Sequence, residues 1–229
     1  MRIAAGISST LVLLAAWSAL GAEDVAPGGV EIEKVPTEAG KAKIVLIAGS
    51  SKPIKPGEHD YVAACAALHD LLKQTPGVAP VLVIDWPKNP ETLEGAKAVV
   101  MLFDGGAKHG LLPEGRYDEI EKLAENGAGF VFLHQLIDVA AEHGDNARAL
   151  AGAAWEKGYS ARAHWVAEFK DFPKHPVFNG VTPFKIDDGW LTGLRFDSEP
   201  KGLTPLLRTT DPKAKTKPKS KTKPTGKPG

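Results

Sequence analysis

Gly127-Ala-Gly-Phe-Val-Phe-Leu-His-Gln135 decides the fold. A glycine-broken approach runs into four apolar residues, and the run stops at two polar side chains. A short apolar run bounded by turn signals reads as a strand buried on both faces. The stretch after it reads as helical, which makes a strand–turn–helix unit. Such units place chemistry at the carboxyl edge of a parallel sheet, and His134 and Gln135 would stand there.

Working outward, other segments carry the same rhythm. Lys43–Ala48 reads as the first strand, Val81–Ile84 as the second and Ala98–Phe103 as the third. Asp60–Gln74 has apolar residues at Tyr61, Val62, Cys65, Leu68, Leu71 and Leu72, the spacing of an amphipathic helix. Pro113–Asn126 repeats it with Tyr117, Ile120 and Leu123, and Gly127 suits the helix C-terminus. Strands alternating with helices predict a three-layer αβα sandwich around a parallel, flavodoxin-like sheet. Ala163–Phe169 reads as a further strand and Phe184–Asp188 as a loop or short strand. Four carboxyl-edge loops then gather the chemistry: Gly49–His59, Asp104–His109, His134–Val139 and whatever follows Phe169.

The 229 residues suffice for one such domain, and the apolar fraction of 43% is ordinary for a globular chain. The formal net charge of zero hides an asymmetry. Pro212–Gly229 holds seven lysines and no acid, which leaves −7 on the remainder. Residues 211–229 read as a disordered Lys/Pro-rich tail that cannot bury apolar area. At the other end, residues 1–22 carry a basic start, an apolar centre and small residues at Gly21-Ala22. That is the pattern of a secretory signal peptide, and it predicts a secreted or periplasmic protein. Residues 23–41 read as a linker or loose edge strand, and 42–210 as the domain.

Composition removes several chemistries. Cys65 is the only cysteine, so no internal disulfide forms, and its place among Leu68 and Leu72 marks it as core packing. No thiol or serine stands at the pivotal turn, which disfavours covalent catalysis of the nucleophile-elbow type. No glycine-rich phosphate cradle follows a strand, and no close histidine spacing suggests a metal or any other cofactor. Four histidines, His59, His109, His134 and His164, fall near strand ends. For each alone, a hydrogen-bonded structural role competes with acid–base work. Asp187-Asp188-Gly189-Trp190 sets two carboxylates beside an indole, a means of holding a sugar and equally an Asx-type turn with a packed Trp. His69 and His143 read as surface.

Several ordered motifs carry a resemblance: Gly57-Glu58-His59-Asp60-Tyr61, Gly129-Phe130-Val131-Phe132-Leu133-His134, His164-Trp165, Lys174-His175-Pro176, Gly180-Val181 and Phe184-Lys185-Ile186-Asp187-Asp188. Together, over about Lys43–Arg208, they resemble the ThuA-like (trehalose utilisation) family of the class I glutamine amidotransferase-like superfamily. The resemblance implies a flavodoxin-like sandwich in which histidine replaces the amidotransferase cysteine, and a link to carbohydrate metabolism. It implies a carbohydrate ligand, a disaccharide or oxidised sugar, with His134 and His59 as catalytic candidates. Gln135, Asp104, His164, Asp187, Asp188 and Trp190 become the substrate-binding candidates. Nucleic acid is not an expected partner of an exported protein. Gly189 and Leu191 stand where the family has Glu and Tyr, and the lysine tail follows Thr204-Pro205-Leu206-Leu207 where the family continues with a Gly/His-rich segment. Those departures frame the alternative, a non-catalytic envelope-associated recognition protein whose tail contacts an anionic surface.

Overall fold

The computed structural model describes residues 25–36, 39–50, 58–196 and 202–213. The signal-peptide reading, most of the Gly49–Gly57 loop and most of the lysine tail lie outside the described residues. Among those described, no helix is long and apolar enough to cross a membrane.

The architecture is mixed α/β around a four-stranded parallel sheet. Val25–Ala26 (β1) and Val30–Glu31 (β2) form a small antiparallel hairpin. Then come Ala42–Ala48 (β3), helix Tyr61–Lys73 (α1), Val78–Ile84 (β4), Ala98–Leu102 (β5), helix Arg116–Glu125 (α2) and Gly129–Phe132 (β6). The sheet runs β4-β3-β5-β6, every pair parallel. This is the flavodoxin-like order that the alternation of strands and helices predicts.

Alternation within the strands builds two cores. Val45, Ile47, Val81, Val83, Val99 and Met101 point to one face and pack under Ile120 of α2. Leu46, Ala48, Leu82, Val100 and Leu102 point to the other and meet Tyr61, Cys65 and Ala66 of α1. A sheet covered by a helix on each face needs apolar residues on both, hence the unbroken Val/Ile/Leu runs. Pro80 sits inside β4 without harm because β4 is an edge strand.

The helix ends follow local chemistry. The Asp60 carboxylate accepts from Ala63 N–H at 3.1 Å and caps α1. α2 starts at Arg116, after left-handed Gly115, rather than at Pro113. It ends in a Schellman motif: Gly127 N–H donates to Ala124 O at 2.9 Å and Ala128 N–H to Leu123 O at 3.0 Å. Leu71 is 63% exposed, because Leu72, one position on, takes the inward direction.

Several expectations need correction. β6 is not buried on both faces: it is the outer strand, with Phe130 and Phe132 half-buried and Val131 43% exposed. Nor does a helix follow it directly. Asp138–Val139 (β7) intervenes, and Gly144–Ala151 (α3) leads to Trp155–Glu156 (β8), which pairs parallel to β7. Residues 25–31 are more than a linker, since Ala26 and Val30 are buried in the α1-side core and Ile32 bridges to Leu82. The strand near Ala163 does not join the parallel sheet. Ala161–Phe169 (β9) pairs antiparallel with a full nine-residue strand, Phe184–Thr192 (β10). Trp165, Ala167 and Phe169 form a separate small core there with Trp190 and Phe172.

Candidate functional site

At the carboxyl edge the β6 ladder ends with Leu133 N–H donating to Met101 O at 3.1 Å. His134 then takes a left-handed backbone, φ 58°, and swings the chain back. A non-glycine residue held there is strained, and such positions gather at functional sites. His59 shares the feature, with φ 54°. It precedes the Asp60 cap, so the turn into α1 aims it at His134. The rings meet edge to face, centroids 4.9 Å apart. Tyr61 lies 5.8 Å from His59 and 6.3 Å from His134, centroid to centroid, and its hydroxyl donates to Asp104 Oδ1 at 2.7 Å. Burial and that carboxylate both push the Tyr61 phenol far up, so it remains a donor.

Two glycines permit this convergence. A Cβ on Gly49 would stand 2.6 Å from Phe103 Cβ and 3.1 Å from the Tyr61 ring. A Cβ on Gly105 would stand 2.7 Å from Asp138 Cβ and 2.7 Å from Gln135 O. The Asp104 turn and the His134 turn therefore touch, backbone against backbone.

Beside this cluster lies a cavity of about 290 Å³. His134, Gln135 and Ile137 form one wall, and Arg162, Asp188 and Trp190 stand on the other. Burial first, and His59 second, hold the His134 imidazole below its ordinary 6.5; Asp188 and Asp104 pull the other way. His134 is thus a neutral ring at neutral pH, able to take a proton. Arg162 reaches across to Asp138 and lies over the Trp155 ring, 4.7 Å from its centroid. Asp138 is 6% exposed at its side chain, and burial raises its carboxyl even though Arg162 opposes the shift. The Arg162–Asp138 pair ties the β9–β10 hairpin to β7, just after the His134 turn.

The structure brings together His59, Asp104, His134, Gln135, Asp188 and Trp190. It does not bring in His164 or Asp187. Those two form their own pair, Nε2 to Oδ1 at 2.9 Å, and both side chains are about two-thirds exposed, away from the cavity wall. His164 and Asp187 share one face of the hairpin, while Asp188 and Trp190 share the other. Trp190 offers less than a free platform. It stacks on Trp165 with centroids 5.1 Å apart, and its indole N–H donates to Trp165 O at 2.9 Å.

His109 is structural. It is buried, its Nε2 donates to Leu136 O at 2.7 Å, and its Nδ1 accepts from Leu111 N–H at 3.3 Å. Cys65 is fully buried and its thiol is pushed up to about 12, so it is inert as a nucleophile. Among the described residues, no group of three or more His, Cys, Asp or Glu is placed to hold a metal ion. A wider crevice of about 430 Å³ lies at the amino end of the strands, lined by Val30, Lys41, Asp70, Lys73 and Ala79 among others, away from the His59–His134 cluster.

Sequence reading missed Tyr61, Asp138 and Arg162 as site residues. Tyr61 counts as one more apolar helix position until its hydroxyl partner is seen. Asp138 carries a usable signal: a lone acid inside Leu136-Ile137-Asp138-Val139 needs a cation.

No family model matches the chain, and no curated protein matches it. One solved structure, a ThuA-like protein from Bacteroides uniformis, is similar at a TM-score of 0.49 and 15% identity, over 74% of this chain and 67% of that one.

Proposed function

We propose that this chain is an exported ThuA-like protein that binds a carbohydrate, a disaccharide or oxidised sugar, in the cavity beside His134. The observation that carries the reading is that His134, Gln135 and Asp188 line one cavity of about 290 Å³, with the His59 ring against His134 and the Asp104 carboxylate acting on its charge. That volume is at the small end for ligand sites and suits a sugar-sized group. Polar groups of both kinds face it: Asp188 and Gln135 accept from hydroxyls, while Gln135 and Arg162 donate. His134 is the acid–base group, neutral at rest and able to take a hydroxyl proton. His59 and the Tyr61–Asp104 pair hold its surroundings. No thiol takes part, so glutaminase chemistry is set aside.

Gly189 and Leu191 favour a second reading, a recognition protein without turnover. Both residues line the cavity and neither brings a titratable group to it. Isothermal titration against a panel of disaccharides and their oxidised forms, with wild type and His134→Ala, tests the proposal. Binding by wild type that His134→Ala weakens supports it, and absence of binding to every member removes it. Turnover of a bound sugar separates the enzyme from the recognition protein.

A further inference from the structure

We propose that the outer edge of β10 pairs antiparallel with the same edge of a second copy, around a two-fold axis at Ile186. The inference stands apart from what the cavity binds.

β10 pairs only with β9 among the described residues, and Phe184 to Gly189 are all exposed. No proline or bulge interrupts its nine residues. A long regular edge without such protection is a template for another strand. Phe184 and Ile186 add apolar side chains, 37% and 38% exposed, on one face of it.

Charge selects the partner and the register. Residues opposite one another in a sheet point to the same face, and neighbours along a strand do not. A two-fold normal to the sheet must therefore pass through a residue, not between two. With the axis at Ile186, Lys185 faces the partner's Asp187 and Asp187 faces the partner's Lys185. With the axis at Asp187 or Asp188, two like carboxylates meet; at Lys185, two ammonium groups meet. Only the Ile186 axis within this segment gives two attractive pairs and an Ile–Ile contact.

The charges already on the hairpin extend the pattern. Lys185 Nζ lies 3.3 Å from Glu168 Oε1, and Asp187 pairs with His164. Across the joined sheet the row would read Glu168, Lys185, the partner's Asp187, alternating in sign. The same register sets the partner's Phe184 opposite Asp188, on the face that borders the cavity. The interface is isologous, so it closes as a dimer and does not propagate.

Sedimentation velocity of the full chain over a range of concentrations tests this, with wild type, Lys185→Glu, Asp187→Lys and the double exchange Lys185→Asp/Asp187→Lys. Circular dichroism confirms that each exposed substitution leaves the fold intact. Wild type should dimerise, and each single reversal should weaken association by roughly tenfold or more, as two repulsive pairs replace two attractive ones. The double exchange should restore it. A wild type that stays monomeric at every concentration, a dimer indifferent to both reversals, or a double exchange that fails to recover would each overturn the proposal.

Discussion

His59 and His134 meet edge to face, 4.9 Å between ring centroids, and both hold a left-handed backbone. Each arrives from a different strand of the sheet, one at the entry to α1 and one at the exit from β6. Left-handed backbone disfavours a side chain by about 1–2 kcal/mol per residue, and glycine escapes that term. His134→Gly should therefore hold or raise stability, by up to about 1 kcal/mol in urea unfolding, while abolishing ligand binding. A large loss of stability would mean that the ring serves packing.

Acid should destabilise the fold, and His109 should be a main cause. Burial lowers the His109 pKa below 6.5, and Leu111 N–H already occupies Nδ1. His134 is lowered as well. The unfolded chain then binds more protons than the folded one as pH falls below about 6.5. The stability of the neutral histidines is present above that value and is lost as pH falls toward the folded pKa values. Urea midpoints between pH 7.5 and 5.5 should fall, with a slope of up to about 1.4 kcal/mol per pH unit for each histidine. His109→Gln should flatten part of that slope.

Gly105→Ala should cost about 1–3 kcal/mol by overpacking, since its Cβ has no room beside Asp138 and Gln135. The backbone at Gly105 is extended, so strain in φ plays no part. The same substitution should separate the Asp104 and His134 turns and weaken any ligand that spans them. Differential scanning calorimetry and titration on one sample read both effects.

Arg162→Ala should destabilise the protein by about 1–3 kcal/mol, because the buried Asp138 loses its cation. Arg162 is half exposed, which keeps the figure below that of a fully buried pair. Adding Asp138→Asn should recover much of the loss, since the uncompensated charge is gone. A double variant as unstable as the sum of the two singles would show that the residues do not act as a pair.

The parallel sheet was legible because two-sided burial leaves unbroken apolar runs, as in Lys43–Ala48 and Ala98–Leu102. The helix ends were legible from Asp60 and Gly127, whose chemistry is local. The edge position of β6 was not: Phe130, Val131 and Phe132 look the same in an inner or an outer strand, and the sheet order decides. β10 was short in the sequence reading because Asp187-Asp188-Gly189 is typical of a turn. Nine pairings to β9 override that preference. His134 stands out in the sequence because a polar residue ends an apolar run there, and Asp188 because two carboxylates precede an indole. His164 and Asp187 pair with each other outside the cavity lining, and the register that sets them together is one the sequence leaves open. Arg162 was invisible for the same reason, as its partner Asp138 lies on another element.

Nuclear magnetic resonance of ring-labelled histidine, titrated with the disaccharide panel, reads out occupancy of the cavity beside His134. A ligand in the cavity should shift the His134 and His59 ring signals and leave those of the buried His109 and the exposed His164 in place. Ligand shifts confined to His69, beside the amino-end crevice, or no shift at any histidine would contradict it.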